Sequence, residues 1–313
     1  MKIELRPGTY VPIVTPFTGS GAIDYESLDR LIDRLLMANV EALVVLGTTG
    51  ESPTITTEET TALIRHTVSR ARGSTAVVAG VGSNNTHTSM NQAKQASDLG
   101  VDGLLVVCPY YSKPTQQGLY EHFAVIADQV PVPQIVYNIV GRTGVNIETD
   151  TLLKLAAIDN IVGVKESSDD INQVSEVVQH SPEGFLVLSG CDHLNFSTLC
   201  LGGNGVISTV ANLVPEKIKT MVDAALRNNI QTARQIHFEI QPLVTGCSIA
   251  SNPIPVKTAL ALMGEIGEVF RQPLCSMEPV ERRDWQNILR QQSLLNKTKM
   301  KNDIRIKEFG SKM

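Results

Sequence analysis

The run IVGVK stands at residues 161–165, and a second run of the same kind, QIVYN, stands at residues 134–138. Both are short and mostly apolar, which is the pattern of a strand buried on both faces of a sheet. The first run ends in Lys165, and the second carries Tyr137 near its end. We therefore expect two buried strands, each with a chemically useful side chain at its carboxyl end.

Six further apolar runs bring the total to eight, at residues 11–14, 42–46, 76–79, 104–108, 185–188 and 205–208. The segments between them have helical periodicity, as in residues 28–36, where apolar side chains recur at i, i+3, i+4 and i+7. Buried strands that alternate with helices predict a parallel sheet covered on both faces. Eight such units are the number in a closed (β/α)₈ barrel, the TIM barrel.

The alternative architecture is an open, doubly wound sheet. Such a sheet carries a Gly-x-Gly-x-x-Gly turn after its first strand, and this sequence has none at that place. The pattern therefore favours the barrel within the α/β class. Thr56 and Glu59 have the spacing of a capping box, which predicts the start of one of its helices.

The residues after the eighth run predict a helical appendage. Helical patterns occupy residues 215–227, 230–241, 253–264 and 279–294. We expect the first to close the barrel, so that the barrel spans residues 1–228 and the appendage residues 229–296. The remaining segment, 297–313, holds six basic and two acidic residues, a net charge of +4 against −9 for the rest. We interpret it as a solvated tail, with a contact arm for an acidic partner as the alternative.

Composition narrows the class of protein. The chain is 42% hydrophobic and 19% charged with a net charge of −5, which is ordinary for a soluble domain and unlike a nucleic-acid-binding surface. No apolar run approaches the ~20 residues that cross a bilayer, and the first ten residues lack a signal-peptide pattern. The five cysteines are odd in number and show no Cys-x-x-Cys spacing. We expect a cytosolic protein with reduced thiols and no membrane or nucleic-acid partner.

Lys165 is the candidate nucleophile. Burial at a strand end disfavours the ammonium form of a lysine, and a neutral amine condenses with a ketone. Tyr137 is placed to carry the protons that such a condensation needs. The alternative interpretation is a strand-end lysine paired with a carboxylate such as Glu166, and a tyrosine that only packs at the rim.

Other strand ends carry groups that suit a keto acid. Thr48 and Thr49 follow the second run, and their hydroxyls and amides can hold a carboxylate. Arg142 follows the fifth run and can bind a second carboxylate in bidentate fashion. Gly190 follows the seventh run, and Ile207 lies in the eighth. A threonine pair is most often turn chemistry, and a single arginine is most often a surface ion pair, but their joint placement at strand ends favours a site. The six histidines show no metal-ligand spacing, so we expect no metal and no cofactor.

At this point the motifs resemble a known family. They are GTTGE at residues 47–51, YN at 137–138 with GVKE at 163–166, RTG at 142–144 and NPIPVK at 252–257. From about Tyr10 to about Leu295 the chain resembles the pyruvate-dependent class I lyases of the N-acetylneuraminate lyase superfamily. The last two motifs are similar to the synthase branch, which serves lysine and diaminopimelate biosynthesis. The resemblance implies condensation of pyruvate with L-aspartate 4-semialdehyde.

The resemblance also implies residue roles. Lys165 would form the Schiff base with pyruvate, and Tyr137, Thr49 and Tyr111 would form the proton relay. Tyr111 would enter the site from a neighbouring subunit, so the tight dimer would be obligatory within a tetramer built as a dimer of dimers.

The substrate contacts follow in the same way. Thr48 and Thr49 would bind the carboxylate of pyruvate, and Arg142 that of the aldehyde. Gly190 and Ile207 would line the pocket near the imine. Two alternatives stay open: a related enzyme that acts on a 2-keto-sugar acid, and a catalytically idle barrel that serves as a binding protein.

A possible allosteric site comes from the same resemblance. Ser52, Asn84 and Tyr110 match the site at which some members bind lysine at the dimer interface. Thr60 and Thr88 stand where inhibited members often have histidine and glutamate. Loss of an anionic partner for the lysine ammonium should weaken binding by a few kcal/mol. We therefore expect weak or absent feedback by lysine.

Overall fold

A closed barrel of eight parallel strands forms the centre of the computed structural model, which describes residues 3–71 and 73–295. Each strand pairs with its neighbours in chain order, and β1 pairs with β8 to close the ring. This confirms the predicted TIM barrel. The strands are β1 (Gly8–Pro12), β2 (Ala42–Val45), β3 (Ala76–Val81), β4 (Gly103–Val107), β5 (Gln134–Asn138), β6 (Ile161–Glu166), β7 (Leu186–Ser189) and β8 (Gly205–Ile207).

The helices surround this barrel. In the described part of the chain they are α1 (Tyr25–Met37), α2 (Thr57–Ala71), α3 (Thr86–Asp98), α4 (Gln116–Gln129), α5 (Val140–Thr143), α6 (Thr149–Leu155), α7 (Ile171–His180), α8 (Asn195–Cys200), α9 (Pro215–Leu226), α10 (Ile230–Gly246), α11 (Ile254–Met263) and α12 (Pro279–Gln291). The start of α2 follows the capping-box prediction. The Glu59 amide donates to Thr56 Oγ1 at 3.2 Å, and the Thr56 amide donates to Glu59 Oε2 at 3.0 Å.

Closure of the barrel depends on two glycines. Gly8 pairs with Gly205 where β1 meets β8. A Cβ on Gly205 would overlap the carbonyl oxygen of Gly8 and lie 2.8 Å from its nitrogen. No other residue fits so close to a neighbouring backbone.

The pairing of Gly8 with Gly205 also explains why the first strand begins earlier than the apolar pattern predicts. The apolar pattern predicts the first strand at residues 11–14, but backbone pairing at Gly8 begins it earlier and it ends at Pro12.

Side chains along the strands alternate between two cores. Tyr10, Val44, Leu105, Ile135 and Leu188 belong to the cluster inside the barrel. Their strand neighbours, such as Val11, Val45 and Val106, belong to the larger cluster between the strands and the helices. This period of two follows from strand geometry. It fixes which side chains of each strand can reach the mouth of the barrel.

The last three helices form the appendage. α10 packs on α8, α9 and α12, and α11 packs on α12. Trp285 of α12 is fully buried, and its Nε1 donates to the Pro255 carbonyl at 2.7 Å. The division at residue 228 stays a prediction, and the predicted tail at 297–313 lies outside the described residues. Within residues 3–71 and 73–295, no helix combines the length and apolar character needed to cross a membrane.

His122 is a buried imidazole in the layer between α3 and α4. Its Nδ1 lies 2.9 Å from Thr86 Oγ1, and the ring of Phe123 meets its ring edge-on at 5.2 Å. Its Nε2 is buried without a hydrogen-bond partner among the described residues. Burial lowers the pKa of His122 from 6.5 to about 4.

This histidine should make the fold sensitive to acid. Between pH 6.5 and pH 4 the unfolded chain binds a proton at His122 that the folded chain does not, so stability falls as pH falls. From pH 7 to pH 5 we expect a loss of about 2 kcal/mol in the free energy of unfolding from this group. The His122→Gln variant has no group that titrates at this position. Its free energy of unfolding should therefore fall by about 2 kcal/mol less than that of the parent between pH 7 and pH 5, as measured by urea unfolding at both pH values. Equal losses in the two proteins would contradict the assignment.

Candidate active site

Lys165 and Tyr137 lie side by side inside the barrel. The register of β5 and β6 sets the two residues opposite each other. Lys165 Nζ lies 4.1 Å from the centroid of the Tyr137 ring. The side chains are 7% and 6% exposed, so both are shielded from bulk water. In the described part of the chain, no hydrogen-bond acceptor or carboxylate lies within bonding distance of this amine.

Glu166 does not pair with Lys165. Because successive side chains of a strand point to opposite faces, Glu166 lies in the layer outside the barrel. There its carboxylate accepts hydrogen bonds from the Ser168 amide at 2.7 Å, from Asn138 Nδ2 at 3.2 Å and from Gln173 Nε2 at 3.1 Å. Burial raises the pKa of Glu166, and these donors oppose that effect. The interpretation of Lys165 as a lysine paired with this glutamate is therefore wrong.

The Thr48-Thr49 pair forms a single 3₁₀ turn after β2, which spans Thr48–Gly50. Thr49 is 2% exposed, and its Oγ1 accepts a hydrogen bond from Asn252 Nδ2 at 3.0 Å. From the other side, Thr15 Oγ1 donates to the Gly50 carbonyl at 2.7 Å. Hydroxyls and backbone amides are thus concentrated at the end of this strand.

The turn ends at Glu51, whose φ of +57° is unusual for a residue other than glycine. Its carboxylate forms a fully buried ion pair with Lys257 of α11. Lys257 Nζ also donates to the Val269 carbonyl at 2.8 Å and lies 4.3 Å from the centroid of the Phe17 ring. Burial lowers the pKa of Lys257, and the charge of Glu51 opposes the shift.

Sequence reasoning gave no role to Asn252 or Lys257, although the motif at residues 252–257 contains both. The sequence does contain a pattern that marks Lys257 as a residue with a buried partner. It is the one charged residue in α11, whose sequence IPVKTALALM is otherwise apolar or neutral. A lone charge in an apolar helix needs a buried partner. The sequence does not tell which of its acidic residues is that partner.

Arg142 stands at the mouth of the barrel on the short helix α5. Its Nη2 donates to the Asn252 carbonyl at 3.2 Å. Arg142 lines a cavity of about 490 Å³ together with Thr48 and Tyr137. Among the described residues that line this cavity, Arg142 is the single charged side chain. The positive charge of Arg142 therefore makes this cavity favourable for an anionic ligand.

Gly190, the residue after β7, lies against the lysine side chain, and Ile207 lies in β8. A Cβ on Gly190 would overlap Ser167 Oγ and come within 2.6 Å of Lys165 Cε. Only a glycine leaves room for the lysine side chain here. Ile207 is 2% exposed and belongs to the same interior cluster as Tyr137. That these two residues line a pocket around the amine stays a prediction.

Asp192 joins the ends of β7 and β8. Its carboxylate accepts hydrogen bonds from Ser208 Oγ, from Asn195 Nδ2 at 3.0 Å and from the Thr209 and Val210 amides at 3.0 and 3.2 Å. Desolvation raises the pKa of Asp192, and these hydrogen bonds oppose the shift. The two strand ends that carry Gly190 and Ile207 are thereby held at a fixed separation.

Tyr111 is not brought to Lys165 within its own chain. It is 87% exposed, its φ of +72° lies in the left-handed region, and its amide donates to the Thr143 carbonyl at 3.3 Å. A bulky residue in this conformation is rare and is most often found at a functional position. Of the predicted allosteric residues, Ser52 and Tyr110 line the cavity, whereas Asn84 is exposed and outside its lining.

A shielded amine beside a phenol, at the carboxyl ends of barrel strands, defines a lyase of the Schiff-base-forming type. The chain belongs to the dihydrodipicolinate synthetase family, whose model matches residues 6–292. It is 43% identical over 288 residues to the 4-hydroxy-tetrahydrodipicolinate synthase of Aquifex aeolicus (strain VF5). The matched region covers 92% of this chain and 98% of that protein.

Solved structures agree with this assignment. The crystal structure of dihydrodipicolinate synthase from Aquifex aeolicus matches with a TM-score of 0.90 at 43% identity, covering 93% of this chain and 99% of that chain. The chloride-inhibited dihydrodipicolinate synthase from Acinetobacter baumannii, complexed with pyruvate, matches with a TM-score of 0.91 at 36% identity, covering 93% and 100%. The resemblance inferred from the motifs is confirmed.

The close contact at Gly190 leads to a stability prediction. Gly190→Ala must displace Ser167 and Lys165, and we expect the free energy of unfolding to fall by about 1–3 kcal/mol. Gly19→Ala is the matched control, because a Cβ on Gly19 meets nothing within 4 Å. Thermal unfolding of the two variants beside the parent protein measures the difference. Equal stability of all three would show that the lysine has room to move.

Proposed function

We propose that this protein condenses pyruvate with L-aspartate 4-semialdehyde to give 4-hydroxy-tetrahydrodipicolinate, with Lys165 as the nucleophile. The observation that carries the proposal is the amine itself. Lys165 Nζ is shielded from water, lies against Tyr137 and has no carboxylate partner in the described part of the chain. Such an amine is free to attack a carbonyl carbon.

The chemistry begins at the ketone of pyruvate. The amine of Lys165 adds to the C2 carbon, and the carbinolamine loses water to give an imine. Tyr137, whose ring centroid lies 4.1 Å from Lys165 Nζ, is the proposed carrier of the protons of these steps. Loss of a C3 proton gives an enamine, whose C3 attacks the aldehyde carbon of the second substrate. The amine of the adduct then attacks the imine carbon, closes the ring and releases Lys165 unchanged.

The turn at Thr48 and Thr49 is the proposed site for the carboxylate of pyruvate. It offers hydroxyl and amide donors beside the barrel interior, and Thr49 is almost fully buried. The Acinetobacter baumannii relative was crystallised with pyruvate, which supports pyruvate as the ligand here. Gly190 and Ile207 would line the other side of the imine.

Arg142 is the proposed partner of the carboxylate of the aldehyde. Its guanidinium is the one charge among the described cavity-lining residues, and the Asn252 carbonyl holds it in place. A guanidinium binds a carboxylate through two parallel hydrogen bonds. The cavity of about 490 Å³ is lined by Arg142 and by Tyr137, the neighbour of Lys165, and its volume is large enough for a four-carbon amino aldehyde.

The assembly we propose is a tetramer made of two tight dimers. Tyr111 is far too exposed for a catalytic tyrosine within one chain, and its left-handed backbone holds it outward. These features support its entry into the site of a partner subunit, where it would extend the proton relay of Tyr137 and Thr49. Exposed apolar side chains at Leu201 and Phe238, near α8 and on α10, support a second contact between dimers.

Reductive trapping tests the proposed nucleophile. With pyruvate and borohydride, the parent protein should gain one reduced pyruvyl adduct, which peptide mass mapping should place on Lys165. Lys165→Ala should gain none and should lose turnover by at least about 10³-fold. Lys154→Ala, at an exposed position on α6, is the control that should behave like the parent.

Each outcome of this test is informative. An unmodified Lys165 in folded protein would remove the lyase assignment. An adduct without turnover of aspartate semialdehyde would direct the search to a keto-sugar acid as product.

Feedback by lysine should be weak. Thr60 lines the cavity, and none of its described lining residues is a carboxylate that could pair with the lysine ammonium. We expect half-inhibition only above about 1 mM lysine, a binding free energy weaker than about −4 kcal/mol. Thr88→Glu adds the missing charge and should be more sensitive than the parent. Steady-state rates of the parent and of the Thr88→Glu variant at increasing lysine concentrations measure the difference. Half-inhibition of the parent below about 1 mM lysine would contradict the expectation.

A further inference from the structure

The segment at residues 252–257 connects the appendage to the candidate site, and apart from the contact of the Asn252 carbonyl with Arg142 the proposed reaction gives it no role. Asn252 contacts two functional groups at once. Its Nδ2 donates to Thr49 Oγ1 at 3.0 Å, and its carbonyl accepts from Arg142 Nη2 at 3.2 Å. One residue of the appendage thus links the group assigned to pyruvate with the group assigned to the aldehyde.

The side-chain contact fixes the polarity of a hydroxyl. In the orientation of this amide, Nδ2 faces Thr49, so it donates and Thr49 Oγ1 accepts. The hydrogen of the Thr49 hydroxyl then remains free for donation in another direction. In the described part of the chain, the amide oxygen of Asn252 is buried without a partner, so Thr49 is the one side-chain partner of this amide. A proton relay needs a hydroxyl whose hydrogen has a defined direction.

The position of Asn252 relative to the turn is itself held by a buried charge pair. Lys257, on the helix that follows Asn252, pairs with Glu51, the residue that ends the Thr48–Gly50 turn. The Arg271 amide donates to the second oxygen of Glu51 at 3.2 Å. Lys257 is fully buried and Glu51 is almost fully buried. Because removal of either charge would leave the other unpaired in the core, the spacing between turn and helix is strongly constrained.

We propose that Asn252 is a positioning residue for catalysis: it orients the Thr49 hydroxyl for proton transfer and holds Arg142 at the mouth of the barrel. The inference rests on the proposed function and assigns a part of that reaction to the appendage. Asn252 itself transfers no proton. Its side chain acts through Thr49, and its backbone carbonyl acts through Arg142.

A double-mutant cycle tests the action through Thr49. Asn252→Ala keeps the backbone carbonyl and removes the amide, so kcat should fall by about 10- to 100-fold while the KM for the aldehyde changes little. Thr49→Val removes the hydroxyl and should cost at least as much. In the double variant, the loss of Asn252 should have almost no further effect, because the group through which it acts is already gone.

Two further variants complete the design. Asn252→Asp keeps the shape of the side chain, but a carboxylate can only accept a hydrogen bond. The Thr49 hydroxyl should then donate to residue 252 instead of accepting from it, and charge repulsion should raise the KM for pyruvate. Asn160→Ala is the control at the opposite end of the barrel, where Asn160 Nδ2 donates to the Ala127 and Val130 carbonyls at 2.8 and 2.9 Å. It should lower stability without changing kcat. Thermal unfolding of every variant confirms that the compared proteins are folded.

The outcomes separate this inference from the proposed function. Failure of the proposed function would appear in the parent protein alone, as absence of the Lys165 adduct. Failure of the inference would appear in a parent protein that forms the adduct, as losses in the Asn252 and Thr49 variants that multiply instead of overlapping. A fall in kcat of less than about 3-fold in both Asn252→Ala and Asn252→Asp would overturn it as well.

Discussion

The alternation of side chains along β6 is the constraint on which the site depends. Lys165 enters the barrel interior, and Glu166, the next residue, enters the layer outside it. The strand itself separates the amine from the nearest carboxylate in sequence. Tyr137 becomes the neighbour of Lys165 because the register of β5 and β6 sets them opposite each other. A shift of one residue in this register would point one of the two away from the mouth.

The barrel alone does not complete the site. The turn after β2 is held from outside by Lys257 of α11, which pairs with Glu51, and by Asn252, just before α11, which donates to Thr49. Taking two charges out of water is costly, and such a pair contributes little net stability. Its effect here is geometric, since it ties the turn after β2 to a helix more than 200 residues later in the chain. The appendage therefore contacts the candidate active site as well as packing on the barrel.

Much of the architecture could be predicted from local patterns. The eight apolar runs correspond to the eight strands, and the capping box at Thr56 and Glu59 starts α2 where it should. The error lay in the first strand. Backbone pairing of Gly8 with Gly205 begins β1 before its apolar run. The backbone hydrogen bond from the Gly8 amide to the Asn204 carbonyl leaves no trace in hydrophobic periodicity, which reports only on side chains.

The barrel, the family and the candidate nucleophile could all be predicted from the sequence, because strand length, apolar periodicity and motif chemistry are local properties. Which groups meet depends on the tertiary structure. It separated Lys165 from Glu166, set Asn252 between Thr49 and Arg142, and buried Lys257 against Glu51. It also left Tyr111 on the outside of its own chain. These contacts join residues far apart in the chain, and their geometry arises only when the barrel closes and the appendage packs on it.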